Sequence, residues 1–480
     1  MTLQDAAKFA KPSWLWEGAL ALGLSVVFTL YLAPTPEKYE KGDWLALMLL
    51  LPILLKYGAG WSQWRECIRT LAPLFLLMGF LGLQAWMGPA DPDANLRYIF
   101  RLGCGLLPFI LLFLVFRHTR KTDVPALLIA VLTVPGLVHL SYLYWDIFQS
   151  VLHEKVTFFS NNHHGLMEHV KNAPRVGRRY VSMALVHLLG GALLLSWLAR
   201  PLWMRVCAWT IAGVSVLSLA LLDARAAYAA IGIGALLLAW ALGWRQTSQA
   251  IGAFVRCSVL WKLVLAGFLL ISVALAHNAG KSRWIALSYS LQAATQHVFH
   301  SDVPIAERPY VDAAFWQKPV DDVYRCYFAR EFRCRADQSA YLRAAWSLEG
   351  IQSLLHHPLG IGYSDNYMGR LWGVEDMDGK YQRVDSFLVE HVVSLGWVAV
   401  GLFGWFFWSI IAAMRRAVKS GRRHAALVTV CAILLVCIGR VMVDVLDEGL
   451  WKYLMAVAGA YFGLVQSQRE HVPGRHTCPT

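Results

Sequence analysis

The sequence predicts an all-α integral membrane protein with about twelve transmembrane helices and one large, partly helical outer loop. Three observations carry that expectation. The chain is 57% hydrophobic and only 16% charged, with a mean hydropathy of +0.46, whereas a soluble domain carries roughly a quarter charged residues. Its apolar residues fall in long unbroken blocks. Its basic residues recur in every second connection between those blocks, as short cytoplasmic loops require.

The blocks lie near 14–34, 44–60, 71–87, 98–116, 124–146, 180–199, 203–222, 224–243 and 259–277, then near 387–412, 424–442 and 449–466. Lys8 and Lys11 precede the first. The even-numbered connections repeat the basic signal: Lys56, Arg65 and Arg69, then RHTRK (117–121), RPLWMR (200–205), Arg245 to Lys262, and RRAVKSGRRH (415–424). The opposite connections, TPEKYEKGD (35–43), GPADPDANLR (88–97) and DVLDEGL (444–450), are acidic or mixed. Both termini are therefore expected in the cytoplasm. On this plan residues 1–277 hold nine helices and a smaller outer loop at 147–179. Residues 278–386 form the large outer loop, 387–466 the last three helices, and 467–480 a cytoplasmic tail. A loop as long as 278–386 is more than a connector.

The same topology accounts for the net charge of +13. Much of the excess is positive-inside signal, which points to membrane lipids and away from nucleic acid as the partner. Metal-type spacings, a Gly-rich phosphate loop and a dinucleotide fingerprint are missing from the sequence, so neither a metal nor a cofactor is expected. Of nine cysteines, only Cys326 and Cys334, in CYFAREFRC, fall in the large loop. They are a disulfide candidate in an oxidising periplasm.

Chemistry is expected from polar residues gathered at the outer boundary. Arg225, in LLDARAAYAAIG, stands at a tight turn between two helices. It is read either as a snorkelling side chain or as a ligand group. Arg175, Arg178 and Arg179, in KNAPRVGRRY, precede a helix on the outer side, against the charge bias. Three guanidiniums there suit a pyrophosphate or an anionic headgroup, with ordinary phospholipid as the plain alternative. In the large loop, Leu342, Trp346, Ile351, Leu354 and Leu355 suit an amphipathic helix lying against the membrane or the bundle. Pro358 ends that helix. Arg343 lies in its first turns, and His356 and His357 lie at its end. Finally, RVDSFLVEHVVSLGW opens an apolar run, with Asp385 and Ser386 in position for a helix N-cap. Glu390 and His391 follow within the first two turns.

Taken together, these segments resemble the O-antigen ligase and polymerase superfamily of bacterial membrane glycosyltransferases. DARAAYAAIG resembles the family's SRGA-like turn, with Arg225 at its arginine. Arg343, Trp346, Ile351, His357, Pro358, Leu359, Gly360 and Gly362 follow the family's loop pattern. Asp385, Ser386, Leu388, Leu395 and Gly396 stand in register with its HN.YL.....LG segment. The resemblance covers roughly 180–412. One departure matters: Asp385 stands where the family's ligases carry a histidine, and His391 lies six residues further on.

The resemblance implies a GT-C-like fold in the bacterial inner membrane and a metal-independent reaction on the periplasmic side. A glycan would pass from undecaprenyl pyrophosphate to an acceptor hydroxyl. The acceptor is most simply lipid A–core, as for a ligase, and alternatively a growing polysaccharide or a pilin. Arg225 and Arg343 are the expected neutralisers of the leaving pyrophosphate, with Arg178 and Arg179 helping. Asp385, or in its place His391 or Glu390, is the expected base. A transporter of lipid-linked glycans is the alternative outside enzymes. It would carry charges deep within helices, where Arg101, Glu390, His391 and Arg440 are the internal candidates.

Overall fold

Apolar blocks punctuated by proline, glycine and charge fold here as helices. In the computed structural model, strands are missing among the described residues. These are 12–33, 36–57, 60–87, 92–119, 123–154, 178–222, 225–243, 247–249, 267, 286–312, 315, 337–364, 367–374, 386–420, 425–443 and 448–470. The helices before the large loop are α1 (Pro12–Tyr31), α2 (Pro36–Tyr57), α3 (Trp61–Met87), α4 (Pro92–Gly103), α5 (Leu106–His118), α6 (Val124–Glu154), α7 (Arg178–Leu198), α8 (Leu202–Leu221) and α9 (Arg225–Leu242). The loop contributes α10 (286–299), α11 (Gln338–His356) and α12 (Tyr367–Trp372). After it come α13 (Phe387–Leu395), α14 (Trp397–Lys419), α15 (Ala425–Val443) and α16 (Glu448–Glu470).

Among the described residues, seven helical stretches are long and apolar enough to cross a membrane: Trp61–Trp86, Pro92–His118, Val124–Gln149, Arg179–Leu198, Leu202–Leu219, Trp397–Lys419 and Ala425–Val443. Shorter apolar stretches occupy Trp16–Tyr31 and Ala227–Leu242. The protein is thus an all-helical, multi-pass membrane protein.

Several boundaries differ from the sequence expectation. Arg65, Glu66 and Arg69, expected in a connection, form the first turns of α3. There Glu66 pairs with Arg117 at the end of α5, at 2.8 Å. The fourth expected block is interrupted at Cys104 and Gly105. The tenth, 387–412, is two helices rather than one, because Gly396 adopts φ +61° and turns the chain between them. The expected helix 259–277 lies almost entirely outside the described residues.

The last helix, α16, is the axis of the bundle and is buried along nearly its whole length. It packs most extensively against α5. Gly459 and Gly463 stand directly over the carbonyls of Phe109 and Phe113, where a Cβ would collide with backbone. Small residues allow such close helix approach, which packs membrane bundles in the absence of a hydrophobic driving force. The same helix carries a fully buried lysine. Lys452 Nζ sits 2.5 Å from Asp43 Oδ2 of α2 and 2.5 Å from Glu448 Oε1. The Tyr31 hydroxyl donates to Asp43 Oδ1 at 3.0 Å. This network ties α1, α2 and α16 together at the end of the bundle that carries the large loop.

Removing the lysine strands two carboxylates. A fully buried pair broken in this way costs roughly 3–5 kcal/mol, and the two carboxylates here retain 28% and 32% side-chain exposure. Lys452→Met is therefore expected to destabilise the purified protein by about 2–4 kcal/mol, read as a fall in Tm in detergent. Adding Asp43→Asn to Lys452→Met is expected to recover part of the loss.

Candidate active site at the loop end of the bundle

The site is built around α13. Ser386 caps it, accepting from the Val389 N–H at 3.4 Å and donating to the Met442 carbonyl at 3.2 Å. The cap anchors the helix head to the end of α15. All of α13 except Leu388 is buried. One side packs on α11, where Gly350 leaves room for Val389 and Val393. Trp346 belongs to that same loop core, and its indole N–H donates to the Tyr310 carbonyl at 2.9 Å. Beside it Arg308 reaches the Tyr310 hydroxyl at 2.8 Å and Glu349 at 3.4 Å. Burial, and then the nearby Arg308 charge, lower the pKa of His297, which bonds the Tyr341 hydroxyl at 2.8 Å.

The turn after α11 grips the end of α13 through main-chain bonds. Ile361 N donates to Val393 O, and Gly362 N to Ser394 O, both at 3.0 Å. Trp397 N donates to Pro358 O at 2.9 Å. Gly360 has φ +75° and Gly396 φ +61°. A Cβ on Gly360 would run into the Ser394 backbone, and one on Gly396 into the Pro358 backbone. The HPLGIG and LG segments, 30 or so residues apart in sequence, are thus the two halves of one backbone contact. Gln84 of α3 closes it from the side, donating to Leu359 O at 3.0 Å and Ser394 O at 3.3 Å.

Against this junction lies a cavity of about 210 Å³, lined by Ala94, Arg97, Tyr98, Arg101, Tyr363, Ser364 and Glu390. Residues 94, 97, 98 and 101 form one face of α4, the spacing that brings helical side chains into line. Tyr98 and Tyr363 stack with centroids 3.8 Å apart, and Arg101 lies over the Tyr98 ring at 5.4 Å. Asn95 Oδ1 accepts from the Tyr363 N–H at 3.3 Å and holds that turn on α4. Glu390 is only 6% exposed and acts electrostatically on both tyrosines, as Arg101 does. Arg97 and Arg101 stand near the start of the apolar stretch Pro92–His118, which is long enough to cross a membrane, so the cavity lies at one end of that stretch.

Polar atoms without a partner gather here. Asn95 Nδ2, Ser364 Oγ and His391 Nε2 are buried and make no hydrogen bond within the described protein. Each such group costs about 1–3 kcal/mol when unsatisfied. Among the described residues, no three His, Cys, Asp or Glu side chains gather as metal ligands.

The sequence-expected residues are distributed unevenly around this cavity. Glu390 lines it. His391 is its immediate neighbour but is fully buried. The His391 Nδ1–H donates to the Phe387 carbonyl at 2.7 Å, and its ring meets Tyr98, Tyr363, Phe387 and Phe403 at 4.0–5.7 Å. Arg343, His356 and His357 are exposed and do not line the cavity. Arg225 and Arg178 begin helices, but their side chains lie outside the description; Arg179 is half-buried on α7. Asp385, Arg175, Cys326 and Cys334 also lie outside the described residues, although Asp385 directly precedes the capping Ser386. Arg97 was not among the sequence candidates, and Arg101 only as an internal charge. Their signal was a pair of arginines four residues apart, at the start of a helix expected on the outer side.

Either glycine substitution forces a side chain into backbone at a positive φ. Gly360→Ala and Gly396→Ala are each expected to cost about 2–4 kcal/mol, measured as a fall in Tm, whereas Gly401→Ala, with open space around it, is expected to leave Tm unchanged. Comparison of the chain with protein-family models, with curated proteins and with solved structures finds no match.

Proposed function

We propose that the protein is a metal-independent glycosyltransferase of the O-antigen ligase and polymerase type. It transfers a glycan from undecaprenyl pyrophosphate to an acceptor hydroxyl, most simply that of lipid A–core, at the periplasmic face of the bacterial inner membrane. About twelve spans in a GT-C-like arrangement, with both termini cytoplasmic, complete this proposal. The observation that supports it best is the boundary cavity. It combines two guanidiniums, one carboxylate and a set of unpartnered hydroxyl and amide groups, beside the segments that carry the family resemblance.

Arg97 and Arg101, one turn apart, hold the pyrophosphate and neutralise the charge that grows on it as the glycosidic C–O bond breaks. The acceptor oxygen forms the new bond to the same carbon, and its proton passes to a carboxylate. Glu390 lines the cavity and serves as that base, with Asp385 at the helix entrance as the second carboxylate. The tyrosine hydroxyls, Ser364 and Asn95 supply hydrogen bonds to sugar hydroxyls. Burial keeps His391 neutral, the Phe387 carbonyl fixes its tautomer by accepting from Nδ1–H, and the ring keeps the two tyrosines in place.

The test is complementation of cells that lack the native activity, with the glycan product followed by gel mobility and lipid-linked donor by mass spectrometry. Arg101→Ala and Glu390→Gln are expected to lower transfer about a hundredfold or more, with donor accumulating. Arg343→Ala and Asp385→Ala report on the groups singled out by the resemblance alone. Native transfer in all four variants overturns the proposal. The product that disappears on deletion (capped lipopolysaccharide, long polysaccharide or glycosylated pilin) identifies the acceptor.

A further inference from the structure

The end of α11 and the turn after it carry three large apolar side chains that the protein leaves uncovered. Ile351, Leu355 and Leu359 are 54%, 76% and 63% exposed. The opposite side of the helix is ordinary core: Leu342, Trp346 and Leu354 are buried. The exposed side chains are fastened to the ends of two membrane spans. Gln84, near the end of α3, bonds the Leu359 carbonyl, and Trp397, the first residue of α14, bonds that of Pro358. Those span ends carry exposed apolar groups of their own, with Trp86 82% and Trp397 53% exposed.

Tryptophan at the end of a span marks the lipid–water interface. The apolar turn therefore lies at the same level as that interface and is continuous with surface that faces lipid. The other end of α11 is different in character. Asp337 caps it, and Arg343 is exposed roughly 18 Å before Leu355 along the axis. Apolar exposure is confined to the end that touches the spans, which is the pattern of a helix entering a bilayer at a slant.

We propose that the last turns of α11 and the turn at 358–360 form a membrane-inserted wedge. Ile351, Leu355 and Leu359 occupy the acyl-chain region of the leaflet at the loop end, and His356 and His357 lie at headgroup level. The occupant of this patch is phospholipid. An amphipathic segment of this kind reaches about 5–10 Å into the leaflet. The wedge holds the loop down on the membrane, so that the boundary cavity opens beside lipid. It stands whether or not the protein transfers glycans.

The test places a benzoylphenylalanine photo-crosslinker at Leu355 or Leu359 in the full chain, in intact membranes, with Glu307 on the exposed part of the loop as control. Leu355 and Leu359 are exposed, so the substitutions do not disturb packing, and an unchanged Tm verifies this. Irradiation is expected to yield phospholipid adducts at 355 and 359 and none above background at 307. Adducts to a second copy or to another protein, or a lipid yield no higher than at 307, overturn the proposal.

Discussion

The structure depends on one contact between two stretches of backbone. The turn at 358–362 lies so close to the end of α13 that neither Gly360 nor Gly396 can carry a side chain, and three main-chain hydrogen bonds join the two. Buried peptide groups must be paired, and here the end of α13 and the loop turn pair with each other. That exchange fixes where α13 stops and α14 begins. It also fixes the height of the loop on the bundle. Because α14 alone rises roughly 34 Å from Trp397 to Lys419, it spans the bilayer without α13. The head of α13 is thereby freed to stand at the boundary with Glu390 and His391.

That position resolves an electrostatic difficulty. An acid within the hydrocarbon costs several kcal/mol or so unless paired or hydrated. Glu390 is buried in protein but borders a cavity that also holds Arg97 and Arg101. Two arginines four residues apart on a helix repel by a few tenths of a kcal/mol, so the pair is favourable only with negative charge nearby. Glu390, which lines the cavity with them, supplies negative charge there.

Much of the fold was legible in the sequence because apolar length is a strong signal. Eleven of the twelve blocks coincide with helices among the described residues. What escaped was local. The apolar run continues through Gly396, so hydropathy alone reads α13 and α14 as one helix; only the left-handed φ reveals the break. The arginines of α4 are hard to see in the sequence because GPADPDANLR reads as an acidic or mixed connection. Arg97 is one charge there, and its alignment with Arg101 emerges only once the segment is helical. In the sequence Ile351 and Leu355 group with Leu342 and Leu354 as one apolar face, yet they lie on the uncovered side of α11.

The geometry of the cavity is set from further down the bundle. Where α4 gives way to α5, the Leu102 carbonyl accepts both the Gly105 N–H and the indole N–H of Trp451. Gly105 is obligatory there, since a Cβ would strike that indole. The same indole stacks on Phe387 at 5.6 Å, Phe387 packs on His391 at 4.0 Å, and His391 meets the edge-on Tyr98 at 5.1 Å. The path from α16 through α13 to α4 closes on itself. Rotating α4 to move Arg97 or Arg101 would therefore break the Trp451 bond or the tyrosine stack. His391 touches two rings of this circuit, Phe387 and Tyr98, and two beside it, Tyr363 and Phe403, and presents its one donor to a backbone carbonyl. Its placement is that of a positioning residue: it holds Phe387 against Tyr98, while Glu390 beside it lines the cavity.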